Sequence, residues 1–232
     1  MIKPPLAANE SARLAALEHY LILDSESEKA FDDIVWLVSH ICRTPIAYIS
    51  IIDKDRQWFK SQIGLSVTQT PREIAFCAHA ILQTDTMVIP DALQDHRFWD
   101  NPLVVSDPHI RFYAGTPLLA RDGLPVGTLC AIDHTPRTLE EAQLEALRAL
   151  GRQVENLLEH RRSAMELSQT LAQMKVMTGL LPMCAWCKRI RDEHGKWNSL
   201  ESYLSDHSEA DVTHGICPDC IETHGRKPSK GL

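Results

Sequence analysis

Apolar residues recur along the first 160 positions in two rhythms. Leu14, Leu17 and Leu21 fall three or four apart, which predicts a helix over 9–22 with Asn9 as its cap. A second helical stretch spans 27–42, with Phe31, Ile34, Val35, Val38 and Ile41 on one side. The rhythm then shortens. Residues 45–53 form a β-branched, apolar run of strand length, and Asp53-Lys54-Asp55 reads as a turn before a return strand at 57–60. A short helix is expected at 73–83, a short strand at 86–89 stopped by Pro90, and loop over 91–109. Two strands follow at 110–120 and 125–133. The Asp122-Gly123 pair between them is a hairpin signal, because glycine tolerates positive φ. Phe112 and Leu118 share one face of the first of these strands, and Tyr113 and Leu119 the other. Val126, Thr128, Cys130 and Ile132 share a face of the second.

From Thr138 the helical period returns for much longer. Thr138 and Glu141 have capping-box spacing, and Leu144, Leu147, Leu150, Val154, Leu157 and Leu158 form a stripe. Glu159 to Arg162 interrupt it, and Met165, Leu167, Leu171, Met174 and Met177 resume it. A helix over 139–178 is longer than one domain edge requires. It either packs on its own domain throughout or forms a homodimeric coiled coil, and the dimer is the expectation taken here.

The last fifty residues carry a separate signal. Cys184-Ala185-Trp186-Cys187 and Cys217-Pro218-Asp219-Cys220 are two C-x-x-C pairs separated by the 29 residues 188–216. Two tight turns can present four thiolates to one tetrahedral cation, so Cys184, Cys187, Cys217 and Cys220 are expected zinc ligands. An Fe–S cluster, a redox dithiol and unrelated cysteines are the alternatives. His194, His207, His214 and His224 are possible substitute ligands, but four thiolates already suffice. A turn near His194-Gly195 and a short helix from Asn198, with Glu201 at the capping-box position, are expected between the pairs. So small a piece, 181–224, has little core of its own, and 225–232 reads as a disordered tail.

Composition narrows the function. Hydrophobic residues make up 44% of the chain and charged residues 24%, an ordinary folded mixture. The net charge of −7 argues against a general phosphate-backbone binder, and acidic neighbours offset the cluster Lys188, Arg189, Arg191 and Lys196. No apolar run reaches the roughly 18 residues of a membrane span, and no signal sequence follows Met1, so a cytoplasmic protein is expected.

The stretches Phe76-Cys77-Ala78-His79-Ala80-Ile81, Asn101-Pro102-Leu103-Val104-Val105, Ile110-Arg111-Phe112-Tyr113-Ala114-Gly115 and Gly127-Thr128-Leu129-Cys130-Ala131-Ile132-Asp133 resemble bacterial GAF domains. Residues 9–36 and 55–60 fit the same pattern, so the resemblance covers about 9–160. It implies an antiparallel sheet with helices on one side and a ligand cavity on the other. With the long signalling helix and the small four-cysteine metal module read above, the expected fold class is α+β. The ligand is unspecified. Trp58, Phe76, Cys77, His79, Arg111 and Tyr113 are the candidate pocket residues. Each has a plainer reading as packing, and Arg111 as an ion pair with Asp91 or Asp95. Bilin-binding relatives place histidine directly after cysteine, whereas Ala78 intervenes here. Cys42 and Cys130 read as small buried hydrophobes.

The function expected from these readings is a non-enzymatic sensor. A small molecule or redox cue acts on the GAF-like domain, and the helix relays it to a zinc module that meets a signalling partner. The alternatives are a thiol-based reductase, for which no complete nucleophile–base–orienter set is evident, and a zinc-dependent nucleic-acid-binding regulator.

Overall fold

The computed structural model describes residues 1–173, 181–192, 194–207 and 212–224. The chain divides into two compact units, Met1–Glu166 and Leu167–Leu232. The first contains helices α1 (Glu10–Glu18) and α2 (Lys29–Cys42), then strands β1 (Ile46–Ile52), β2 (Arg56–Ile63) and β3 (Gln69–Pro71). A 3₁₀ turn, Arg72–Ile74, leads into α3 (Phe76–Ala80), β4 (Met87–Ile89), α4 (Pro102–Val105), β5 (Phe112–Leu119) and β6 (Pro125–Asp133). Helix α5 (Glu141–Gln173) begins in this unit and continues past its boundary at Glu166. The expected positions 174–178 of that helix lie outside the described residues.

The six strands form one antiparallel sheet in the order β3-β2-β1-β6-β5-β4. β1 is buried along its whole length, which explains why it lacks the polar alternation of a half-exposed strand. Ala47, Ile49 and Ile51 face a core shared with α1, α2 and α5, which supply Leu17, Phe31, Val35, Val38, Leu147, Val154 and Leu158. Ile46, Tyr48 and Ile52 face a second core with Phe76, Phe98, Val104, Ile110, Tyr113 and Ile132. Helices therefore flank both faces. The face expected to carry a ligand cavity is packed with side chains from α3, α4 and the 91–110 segment.

Several local expectations shift. α1 stops at Glu18, and Leu21 takes φ 45 and is exposed, while Tyr20 and Ile22 enter the core in its place. Asn9 makes no side-chain capping bond. The stripe of α2 ends on buried Cys42, leaving Ile41 outside. Val126 faces the helical core beside Leu129, away from Cys130 and Ile132. The cause is a bulge: Leu118 opposes Gly127 and Leu119 opposes Pro125, which leaves Val126 as the extra residue. Leu119 is exposed as well. At the start of α5, the capping bond runs from the Glu140 N–H to Gln143 Oε1 at 3.0 Å, two residues beyond the expected box. The Asp122-Gly123 turn forms as expected, with Gly123 at φ 79.

In the second unit, strands β7 (Ile190–Arg191) and β8 (Trp197–Asn198) pair as a hairpin, followed by α6 (Leu200–His207) and α7 (Pro218–His224). Asp192 organises the hairpin turn by accepting the N–H groups of His194 and Lys196 and the Asn198 amide. Ser199, one residue later than expected, caps α6 by accepting the Ser202 N–H. Among the described residues of this unit, Ile190 is the one buried hydrophobic side chain. Trp186 is 96% exposed, and Met183, Trp197 and Ile216 are exposed too.

α1 is held to the sheet by charge as well as by packing. Arg13 is fully buried and donates to the Ile52 carbonyl at 2.6 Å and to both Glu10 oxygens. Arg72 donates to the same carboxylate and to the Asp53 and Lys54 carbonyls. Burial pushes the Glu10 carboxyl up, but hydrogen bonds and charge from Arg13 and Arg72 outweigh it and bring the group down to about 2. A depressed carboxyl stabilises the fold fully above its unfolded value near 4.5, and that contribution disappears as pH falls toward 2. Glu10→Gln is expected to cost about 3 kcal/mol at neutral pH, because two buried guanidiniums lose their shared anion. It is also expected to flatten the loss of stability between pH 4.5 and 2. Urea unfolding across that pH range measures both effects, and an unchanged acid limb in the variant would contradict the assignment.

Candidate functional site

Strand alternation assembles a polar cluster inside the second core. Tyr48 of β1 lies opposite Cys130 of β6, and Ser50 lies opposite Thr128. On the other side of β6, Gly115 of β5 faces Cys130. A methyl group at 115 would overlap the hydroxyl and ring of Tyr113, so glycine there lets the Tyr113 ring lie along its own strand. The Tyr113 hydroxyl thereby reaches the sulfurs of both Cys77 and Cys130, each at 3.3 Å. Helix α3 brings Cys77 down onto the sheet, 3.5 Å from Cys130 Sγ and 3.5 Å from the Tyr48 hydroxyl. Thr128 Oγ1 sits 3.0 Å from Cys130 Sγ, and Ser50 Oγ sits 2.9 Å from Thr128 Oγ1. All six side chains are buried.

The two thiols are electrostatically unequal. Burial raises both. Around Cys77, hydrogen bonds from Cys130, Ser50, Thr128 and Tyr113 outweigh it and hold that thiol below its ordinary value. Cys130 is pushed up by burial and by its donation toward Cys77. Both phenols are pushed up by burial and by the neighbouring sulfurs. The cluster is therefore a set of neutral hydroxyl and thiol groups converging on the Cys77 sulfur inside a fully buried site.

The six candidate pocket residues separate. Phe76, Cys77 and Tyr113 come together, with the Phe76 ring 4.1 Å from Phe98 and 5.3 Å from Tyr113. His79 does not serve Cys77. Two residues apart on a helix point to different sides. His79 meets the Ile2 carbonyl at 3.1 Å and lies edge-on to Phe98. Burial is the main cause lowering its proton affinity. Trp58 belongs to the core on the opposite face of the sheet, next to a residue, Phe59, that faces the cluster. The Arg111 guanidinium is taken by Asp91 through two 2.8 Å bonds, which leaves its alternative role as an ion pair. Tyr48, Cys130, Thr128 and Gly115 are not among the expected pocket residues. Cys130 is buried as expected, but within the polar cluster. The available signal was parity, since Tyr48 and Cys130 share a face once β1 and β6 are paired. An open cleft of 320 Å³ lies elsewhere on the domain, between α1, the β5–β6 turn and α5, lined by His19, Tyr20, Arg121 and Arg162.

The expected metal ligands form two separate knuckles. The Cys187 N–H points at Cys184 Sγ at 3.5 Å, and backbone N–H groups from Cys187 and Trp186 lower the Cys184 thiol. The Cys220 N–H does the same for Cys217. Such N–H···S bonds suit thiolates that bind metal. Among the described residues, however, no group of three or more cysteine, histidine or carboxylate side chains converges to hold an ion.

A six-stranded antiparallel sheet sealed by helices on both faces, with a closed thiol–phenol cluster at its centre, defines the first unit as a small α+β domain. The chain belongs to the GAF domain family, whose sequence profile matches residues 26–158. A cyclic di-GMP phosphodiesterase of Pseudomonas aeruginosa is 44% identical over 137 residues, which are 59% of this chain and 23% of that enzyme. The chain thus spans under a quarter of the length of that curated relative. Similar solved structures include the GAF domain of an Acinetobacter phosphoenolpyruvate-protein phosphotransferase, at 18% identity and TM-score 0.49, covering 67% of this chain and 98% of that one. A free methionine-R-sulfoxide reductase from Neisseria meningitidis has the same identity and TM-score, covering 71% and 99%. The expectation of a non-enzymatic protein is corrected by the first of these relatives, which is named for a catalysed reaction. No helix among the described residues is long and apolar enough to cross a membrane.

Gly115→Ala is expected to destabilise the domain by about 2 kcal/mol, because the Tyr113 ring must leave its place. In a Tyr113→Leu background the same change should cost less than half as much, since the obstructed group is gone. Denaturant midpoints for the four proteins of this cycle test the coupling, and strict additivity would refute it.

Proposed function

We propose that the GAF domain of this chain is a sensory module that regulates cyclic di-GMP phosphodiesterase activity, and that helix α5 carries its response toward the C-terminal unit. The observation that carries this reading is the seating of α5 on β5, the strand that bears Tyr113. Gly151 of α5 packs against Thr116, and Glu155 accepts the Leu119 N–H at 2.7 Å. Burial raises the Glu155 carboxyl. The hydroxyl of Tyr20 bonds Glu159, and Arg161 bonds Glu28, so the turn after α1 and the N-cap of α2 grip the same helix. A change in β5 strain thus reaches a helix that runs unbroken past the domain boundary. The 44% identity to a phosphodiesterase supports the output chosen.

The reading extends to assembly and metal. Leu167 and Leu171 lie four apart on α5, and both are well exposed. Paired with a second copy, they would form the apolar seam of a homodimer. In the C-terminal unit, Cys184, Cys187, Cys217 and Cys220 would hold zinc. The donor set is the one zinc accepts, and a unit with one buried hydrophobic side chain among its described residues needs another source of stability. Bound zinc would act there as a structural crosslink. The unit so stabilised would present its exposed aromatic and aliphatic side chains to a signalling protein. A cytoplasmic setting, reducing enough to keep cysteines out of disulfides and available to a metal, fits this chemistry.

Grafting residues 1–166 in place of the matched segment of the Pseudomonas aeruginosa enzyme is expected to preserve phosphodiesterase activity. The graft carrying Gly115→Ala should change kcat several-fold with KM unaltered. Activity indifferent to the state of the grafted domain would sink the regulatory reading. Native mass spectrometry of the full chain is expected to show a dimer with one zinc per protomer, reverting to monomer in Leu167→Asp/Leu171→Asp. A metal-free monomer would remove both extensions.

A further inference from the structure

We propose that Cys77 and Cys130 form a reversible redox pair, oxidised to a disulfide by hydroperoxides, and that this bond is the cue the domain reads. The geometry points to it in three ways. The sulfurs are already 3.5 Å apart, with nothing between them. A disulfide needs about 2.05 Å, so roughly 1.5 Å of approach completes the bond. The two thiols also differ in character. Cys77 accepts the Tyr113 O–H and faces the Tyr48 hydroxyl, whereas Cys130 meets the hydroxyls of Thr128 and Tyr113. These contacts favour Cys77 as the attacking sulfur and Cys130 as the resolving one. Finally, both sulfurs are fully buried, so an oxidant that reaches them must be small, which favours hydroperoxides over bulky thiols and disulfides.

The chemistry balances in two steps. The Cys77 sulfur attacks the terminal oxygen of the hydroperoxide. An S–O bond forms, the O–O bond breaks, and the leaving alkoxide takes the thiol proton to become an alcohol, or water in the case of hydrogen peroxide. Cys77 is then a sulfenic acid. The Cys130 sulfur attacks Cys77, the S–S bond forms, and the S–O bond breaks. The departing hydroxide takes the Cys130 proton and leaves as water. Two thiols lose two electrons, and one hydroperoxide gains them. Tyr113 is placed to pass protons, since its hydroxyl touches both sulfurs.

The bond has a mechanical result. β6 is fixed between β1 and β5, while α3 is a single short helix, so α3 makes most of the approach. Phe76, adjacent to Cys77, is stacked on Phe98 and tilted against Tyr113, so the shift is delivered to the 91–110 segment and to β5. From β5 it reaches α5 through Thr116 and Leu119. As a signal, the pair rests on the sensory reading given above; as chemistry, it stands alone.

The test treats the full chain with hydrogen peroxide, quenches it in denaturant with an alkylating agent, and maps its peptides by mass spectrometry. The expected result is a peptide pair joined through Cys77 and Cys130, two hydrogens lighter than the reduced peptides and lost on treatment with dithiothreitol. Cys130→Ser should leave Cys77 as a sulfenic acid trapped by dimedone. Full alkylation of both cysteines in the wild-type chain, with oxidation confined to Cys184, Cys187, Cys217 and Cys220, would overturn the proposal. So would recovery of Cys77 as sulfinic acid beside alkylated Cys130. The domain graft separates this from the sensory reading. A linkage that forms without altering graft activity defeats the reading and spares the chemistry. A regulated graft without the linkage does the reverse.

Discussion

A sheet covered on both faces gives its polar side chains no route to water, so each must find its partners inside the protein. That constraint shapes most of the GAF domain. Ser50, Thr128, Tyr48, Tyr113 and the two cysteines satisfy one another inside the core. Lys60, whose ammonium is fully buried, is met by the Glu28 carboxylate, the Ser25 hydroxyl and the Glu26 carbonyl. Arg13 is met by Glu10 and the Ile52 carbonyl. Each group is costly to bury alone, and each fixes the position of a neighbouring element once it is paired. The thiol cluster is the case in which these partners also alter reactivity.

Elements with a strong local period were legible in the sequence. The continuous apolar run of β1, the Asp122-Gly123 turn and the leucine stripe of α5 each state their structure within a few residues. What the sequence obscured depends on events between strands. A bulge moves Val126 to the other face, and neither Val126 nor its neighbours carry any mark of it. Trp58 and Phe59 look equivalent as pocket linings, but alternation sends one to each core. Cys77 and His79 are near in sequence and both were candidate pocket residues, although helical geometry separates them. Cys130 is far from Cys77 in the chain and adjacent to it in space. Its role becomes visible only when β6 is set against β1 and a glycine on β5 is seen to admit Tyr113. Arg13 reads as an ordinary helix-surface residue until the β1–β2 end is placed beside it.

The C-terminal unit follows a different logic. Its hairpin and helices are set by local bonds, at Asp192 and Ser199, rather than by a core. Trp186, Ile216 and Ile221 remain largely in solvent. Such a piece gains its order from a few specific attachments, and its two cysteine knuckles are built from the same kind of backbone N–H bond. The sequence stated the cysteine spacing clearly, but spacing alone does not bring the two knuckles together.

The anchoring of α1 bears on where this domain begins. The stretch matched by the family profile opens at residue 26, inside the loop after α1. Yet Leu17, Tyr20 and Ile22 lie in the same core as β1 and α5, and Arg13 ties off the buried C-terminal end of β1 at the Ile52 carbonyl. A fragment trimmed to the recognisable pattern would lose a wall of its own interior and leave Arg72 facing a vacant position. The physical unit is larger than the pattern that identifies it, and its first turn of helix is as much a part of the sheet's environment as the strands themselves.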